Sequence, residues 1–226
     1  MINISNRLKT VAEFVLDDKN SLGVIDVGCD HALLDIYLLE NNYNLKIIAS
    51  DINNGPLEKA KENITKYSLL NKIKLKLADG ISQIEKNIDT IVISGMGMDT
   101  IVDILEKDKD KLNNVSKLVI SSNNKFPILR EKIISYGFTI EKEKIIFEDG
   151  KFYVIIKFIK GISHYSPKEL YFGPFLLQNK DEIFYKYFNY LKEEKISILD
   201  NIPSSYIDKR KKLEKEIKVL TIEINS

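Results

Sequence analysis

The chain has 226 residues, enough for one α/β domain and a small appendage, with 44% hydrophobic and 30% charged residues. Lys and Arg number 34 against 33 Asp and Glu, a net charge of +1 that excludes a strongly basic chromatin-type protein and a strongly acidic one. The excess of 31 Lys over 3 Arg, with 35 Ile, 19 Asn and no Trp, matches an AT-rich coding sequence, so a lysine run alone is a weak nucleic-acid signal.

The single cysteine, Cys29, excludes an intrachain disulfide and suits a reducing setting. The N-terminal stretch lacks the apolar core of a signal peptide, and no run approaches the roughly 18 apolar residues of a membrane span. The expectation is a cytoplasmic protein that does not enter a membrane.

In chain order, Ser5 to Leu16 is predicted as a helix with Leu8, Val11, Ala12 and Val15 on one face. Leu22 to Val27 reads as a buried strand ending at Gly28, and His31 to Asn41 as a helix. Leu45 to Ser50 is a second strand, closed by Asp51. Gly55-Pro56 opens a helix, with proline in the first turn, where its missing N–H costs nothing. Lys72 to Leu77 alternates apolar and charged residues as a strand does, and ends at Ala78-Asp79-Gly80. Ile88 to Ser94 is a fourth strand closed by Gly95-Met96-Gly97, followed by a helix over Met98 to Lys107. Leu118 to Ser121 is a fifth strand, and Pro127 to Tyr136 a helix stopped by Gly137. Phe138 to Phe147 and Phe152 to Ile159 then flank Glu148-Asp149-Gly150-Lys151, a hairpin turn with glycine available for positive φ.

Alternating strands and helices predict an α/β fold: a Rossmann-like, mostly parallel sheet with helices on both faces and an antiparallel hairpin at one edge. The pattern changes after Lys160. Gly161 to Lys168 is a linker, and Gly173-Pro174 opens a long helix carrying Leu177, Phe184, Phe188, Leu191 and Ile198. After a break at Asp200 to Ser205, a second helix carries Leu213, Ile217, Leu220 and Ile224. The expected domains are therefore 1–160, α/β, and 161–226, helical and coiled-coil-like.

Ligands of such sheets bind beyond the carboxyl ends of the strands. Four strand ends carry the notable residues: Asp26-Val27-Gly28-Cys29-Asp30-His31, Asp51, Asp79-Gly80 and Gly95-Met96-Gly97. The first loop lacks Gly-x-Gly-x-x-Gly, and its two carboxylates would repel a pyrophosphate. A cationic, amino-acid-bearing ligand suits them better, and S-adenosylmethionine has both a sulfonium and an ammonium. Asp51 is placed to accept the ribose hydroxyls, with Ile52 beside it in the same pocket, and Asp79 to accept from the adenine amino group. As a set these positions resemble class I methyltransferases. The residues assigned to the cofactor are Asp26, Gly28, Asp30, His31, Asp51, Ile52, Asp79, Gly80 and Gly95. His31, His164 and Cys29 form no metal set, and no metal is expected.

Val24-Ile25-Asp26-Val27-Gly28-Cys29-Asp30-His31-Ala32 resembles the DIGSDHA segment of the bacterial tRNA (adenine-22-N1)-methyltransferase family. Ser5-Asn6-Arg7-Leu8, Asn53-Asn54-Gly55-Pro56, Asp79-Gly80, Ser94-Gly95-Met96-Gly97, Asn123, Glu148-Asp149-Gly150-Lys151 and Phe172-Gly173-Pro174-Phe175-Leu176 match in order. Cys29 stands for the usual serine, Asp51 for glutamate, Met98 for the second glycine of GMGG, and Ser121-Ser122-Asn123 for a Gln-Pro-Asn run. The resemblance implies a class I methyltransferase domain with a helical C-terminal domain, S-adenosylmethionine as cofactor and tRNA as partner. It implies methylation of adenine N1, whose in-plane lone pair attacks without a general base. Arg7, Ser94, Met96 and Asn123 are the candidates for the target-base pocket, and Lys209-Arg210-Lys211-Lys212 is the densest basic run. A monomer is favoured. Two alternatives stand beside this reading: a methyltransferase for a small molecule or protein, and a non-catalytic tRNA-binding module.

Overall fold

The computed structural model describes residues 2–17, 21–42, 44–122 and 124–226. Seven strands form one sheet: β1 (Gly23–Val27), β2 (Lys46–Asp51), β3 (Ile73–Leu77), β4 (Thr90–Met96), β5 (Lys117–Ser122), β6 (Phe138–Glu148) and β7 (Lys151–Lys160). Their order is β3-β2-β1-β4-β5-β7-β6. The first five are parallel, and β7 lies antiparallel between β5 and β6. The sheet topology is thus the Rossmann-like one expected, hairpin edge included. β1 and β5 are buried along their whole length, as strands covered on both faces are.

The chain alternates between these strands and α1 (Asn6–Leu16), α2 (Leu33–Asn41), α3 (Asn54–Lys66), α4 (Met98–Lys107) and α5 (Phe126–Ser135). Ser5 caps α1 by accepting the Leu8 amide at 3.2 Å. Val11, Ala12, Phe14 and Val15 of α1 enter a core cluster with Leu34, Ile36, Leu38 and Leu39 of α2 and with Val24, Val92, Val119 and Ile155 of the sheet. Because α1 lies over this face, its N-terminus comes to the carboxyl ends of the strands.

The boundary between the two parts falls later than Lys160. Two compact units span Met1–Leu177 and Gln178–Ser226. The short helices α6 (Pro167–Phe172) and α7 (Pro174–Gln178) explain the difference. Arg130 of α5, 1% exposed, pairs its Nε with Glu143 Oε1 at 2.7 Å. Its Nη1 donates to the carbonyls of Leu170 and Tyr171 at 2.8 and 3.2 Å, while Glu143 Oε2 accepts the Phe175 amide at 3.1 Å. This ion pair ties the Phe172–Leu176 segment to the sheet unit, so the segment does not open the long helix.

That helix, α8 (Glu182–Asn201), starts where Asp181 accepts the Phe184 amide at 2.9 Å. It runs antiparallel to α9 (Ile207–Ile224), with Lys180–Glu223 at 2.8 Å near one end and Lys195–Glu216 at 2.5 Å midway. Arg210 donates to the carbonyls of Leu199 and Ile202, both at 2.8 Å, and so closes the connection between the helices. The arginine of the basic run is therefore spent on the turn, whereas Lys209, Lys211 and Lys212 are exposed.

Candidate active site

The loop after β1 is held against β2. The Gly28 and Cys29 amides both donate to the Ser50 carbonyl, at 2.9 and 3.0 Å, and the Ser50 hydroxyl donates to the Asp26 carbonyl at 3.1 Å. Gly28, Asp30 and Ala32 have φ of +76°, +49° and +55°. Two non-glycine residues in the left-handed region within three positions store strain of about 1–3 kcal/mol each, as functional loops do. Asp30 is exposed, and its side chain does not cap α2. His31 Nε2 lies 3.6 Å from Asp30 Oδ1, and the His31 carbonyl accepts Asn63 Nδ2 at 2.9 Å.

Asp26 is 4% exposed on β1, and burial pushes its carboxyl up to about 7, with the Arg7 charge pulling it down and the Asp51 charge pushing it up. Asp35 of α2 was missed by sequence reasoning. It is fully buried, and among the described residues neither carboxylate oxygen has a hydrogen-bond partner. Burial, then the charge of Asp26, hold it well above the carboxylate range. Its signal in the sequence was an acid inside the apolar run Leu33-Leu34-Asp35-Ile36. Burial and the charges of Asp35, Asp26 and Asp51 push the Cys29 thiol up, which disqualifies it as a thiolate nucleophile.

Asp51 ends β2 half-buried, its Oδ1 accepting the Asn53 amide at 2.9 Å, and Ile52 beside it is 63% exposed. Asp79 lies at the end of β3 but is engaged by Lys107 of α4. The carboxylate expected to accept an adenine amino group therefore already holds a cation. Gly80 has φ of +58°, and a Cβ there would meet Ile104 at 2.7 Å, so α4 approaches closely because the residue is glycine.

At the end of β4 the pairing with β5 slips between Ser94 and Met96, which leaves Gly95 as an exposed bulge with φ of +86°. The Met96 side chain folds back over the first loop: a Cβ on Gly28 would meet its Cε at 2.3 Å. Arg7 Nη1 donates to the Ser94 hydroxyl, and the guanidinium lies 5.3 Å from the centre of the Tyr153 ring. Glu148 fixes this end of α1, accepting the Asn6 and Arg7 amides at 2.6 and 3.3 Å. Burial opposes the Glu148 charge, but those amides, the Ser5 hydroxyl and the Arg7 charge outweigh it and hold the carboxyl below its ordinary value.

Arg7, Ser94 and Met96 thus meet the loop carrying Asp26 and Gly28. Asn123 lies outside the described residues. Its neighbour Asn124 accepts the Met98 amide at 3.2 Å and so caps α4, a role that the two adjacent asparagines did not reveal in sequence. Among the described residues no group of three or more His, Cys, Asp and Glu could hold a metal ion.

The site's residues fit a cationic adenosyl cofactor. The acids Asp26, Asp30 and Asp51 lie at the ends of β1 and β2, and the loop after β1 lacks a glycine-rich phosphate cradle. The tRNA (adenine(22)-N(1))-methyltransferase sequence profile matches residues 24–222. The chain belongs to this family. The tRNA (adenine(22)-N(1))-methyltransferase of Bacillus subtilis is 34% identical over 194 residues, covering 82% of this chain and 79% of that protein. A Streptococcus agalactiae protein of the NADB-Rossmann superfamily superposes with a TM-score of 0.92 at 37% identity, covering 98% of this chain and 97% of that one. A Streptococcus pneumoniae protein crystallised with S-adenosyl-L-methionine superposes with a TM-score of 0.87 at 32% identity, covering 98% and 100%. S-adenosylmethionine is the methyl donor of the family.

Proposed function

We infer that this chain transfers a methyl group from S-adenosylmethionine to N1 of adenine 22 in tRNA. The match of the family profile across residues 24–222 carries this reading. When bound, S-adenosylmethionine supplies an electrophilic methyl group on a sulfonium. Asp26 and Asp30 would hold its ammonium, Asp51 its ribose hydroxyls, and Ile52 would cover the adenine ring. Asp79 would reach the adenine amino group after exchanging its contact with Lys107.

Adenine N1 has a lone pair in the ring plane and no proton to lose. The chain therefore needs no general base, and its residues act by positioning. The Gly95 bulge lets a flat base approach the backbone. Ser94, oriented by Arg7, offers a hydrogen-bonding group at the base edge, and Met96 gives an apolar contact next to Gly28. N1-methyladenine is cationic, and the nearby carboxylates favour the positive charge that develops. Adenine would be turned out of its stack to reach the strand ends. Exposed Lys209, Lys211 and Lys212 are suited to tRNA phosphates. A tRNA substrate agrees with a cytoplasmic setting, and no helix is long and apolar enough to cross a membrane among the described residues.

The test is incubation with methyl-labelled S-adenosylmethionine and unmodified tRNA, followed by digestion to nucleosides. Label in N1-methyladenosine is expected. Its absence across all tRNAs would refute the reading.

A further inference from the structure

The β6–β7 hairpin extends past the rest of the sheet. Met96 pairs with Ser122, and Ser122, the last residue of β5, pairs with Val154. Residues 147–153 therefore project beyond the carboxyl edge, where ligands of this fold bind. At the tip, Phe147 and Phe152 are cross-strand partners with ring centroids 4.7 Å apart and planes at 47°. Phe147 is 53% exposed.

The hairpin's two faces have different tasks. Tyr153 and Glu148, on one face, engage α1 through the Arg7 guanidinium and the Asn6 and Arg7 amides. Phe147 and Phe152 alternate with them and lie on the other face. The hairpin is thus anchored to the residue that orients Ser94, while its opposite face presents an aromatic pair. From the strand spacing and rise, Phe152 is about 12 Å from Met96, two strands across and two residues beyond the sheet end. That is too far to touch the base being methylated and within reach of one or two nucleotides along the strand.

We propose that the Phe147–Phe152 pair is a stacking platform for a nucleobase flanking the target adenine. Proteins bind unpaired RNA bases on aromatic faces, and such stacking tolerates any base. A base turned out of its stack leaves a neighbour without one of its partners, and the exposed Phe147 ring, packed against Phe152, replaces that partner. The proposal rests on the tRNA-methylation reading.

The test compares Phe147→Leu, Phe147→Ala and Phe147→Trp with the wild-type chain on one unmodified tRNA. It measures tRNA KM, kcat, tRNA affinity by filter binding, and S-adenosylmethionine affinity by calorimetry. Leucine keeps the apolar volume and the hairpin but removes the ring face. The Leu and Ala variants are expected to raise tRNA KM and Kd about tenfold, the scale of one lost aromatic–base stack. Their kcat and S-adenosylmethionine affinity are expected to stay within about twofold, and Trp to restore tRNA binding. A Leu variant that binds tRNA as the wild type does would overturn the proposal, as would loss of S-adenosylmethionine affinity in parallel with tRNA affinity. Wild-type methylation of the same tRNA, run alongside, separates failure of the platform from failure of the methylation reading.

Discussion

The Arg7 guanidinium donates a hydrogen bond to the Ser94 hydroxyl, joining the first helix to the bulged end of β4. An arginine near the N-terminus of the chain thereby orients a hydroxyl at the carboxyl end of β4. Its charge also reaches Asp26, whose carboxyl it pulls downward.

Replacing Arg7 by alanine is expected to lower kcat/KM for tRNA about tenfold to a hundredfold, the range for losing a hydrogen bond to a charged group. Lysine keeps the charge but not the planar fork, so Arg7→Lys should recover only part of the loss. Without the Arg7 charge the Asp26 carboxyl rises further, and the acid limb of S-adenosylmethionine binding should move to higher pH in the alanine variant only. Binding isotherms between about pH 5 and 9 check both effects.

The buried acids make the free protein less stable as pH rises. A carboxyl with a raised folded-state pKa binds more protons folded than unfolded. Its contribution is full below the unfolded value near 3.8 and is lost as pH climbs through the folded one, about 7 for Asp26. The lowered carboxyls, Asp17, Glu85 and Glu148 among them, act in the opposite sense, and their contribution is complete by roughly pH 5. The melting temperature of the free protein should therefore fall from about pH 5 to pH 7. Asp35→Leu should flatten that slope and raise the melting temperature at neutral pH, because it removes a buried carboxyl with no partner. S-adenosylmethionine binding near pH 7 should release protons, visible in calorimetry as a dependence on buffer ionisation enthalpy.

Gly28→Ala places a side chain at φ of +76° with its Cβ 2.3 Å from Met96 Cε. The methionine can move, but the left-handed conformation still costs about 1–2 kcal/mol, so S-adenosylmethionine affinity should drop about tenfold. Adding Met96→Ala should recover only the steric part. Titration calorimetry on the single and double variants measures the split.

The Arg130–Glu143 pair anchors the Phe172–Leu176 segment from inside the sheet unit. Removing one partner of a buried pair costs about 3–5 kcal/mol, so Arg130→Leu should lower unfolding free energy in urea by that amount. Hydrogen exchange of the Phe175 amide should rise with it, since Glu143 accepts that N–H.

The parallel strands were legible in sequence because buried runs such as Val24–Val27 end in turn residues at the ligand edge. Met98 to Lys107 was legible to the residue, since its apolar face repeats at helical spacing. The domain boundary was not, because the Arg130 contacts that hold α6 and α7 are long-range and leave no periodic trace. Asp35 was hidden for a related reason. Its burial comes from packing α2 between its neighbours, and propensity does not distinguish a buried acid from an exposed one. The pairing of Asp79 with Lys107 and the capping by Asn124 likewise depend on which loops the fold brings together.

The most direct measurement of the central claim is primer extension on tRNA treated with the protein and S-adenosylmethionine. A methyl group on N1 blocks the pairing edge of adenine, so reverse transcription should halt at position 22. The halt should vanish without the methyl donor and in a tRNA whose adenine 22 is replaced by guanine. Full read-through on every tRNA, or a halt at another adenine that persists after that replacement, would contradict the account.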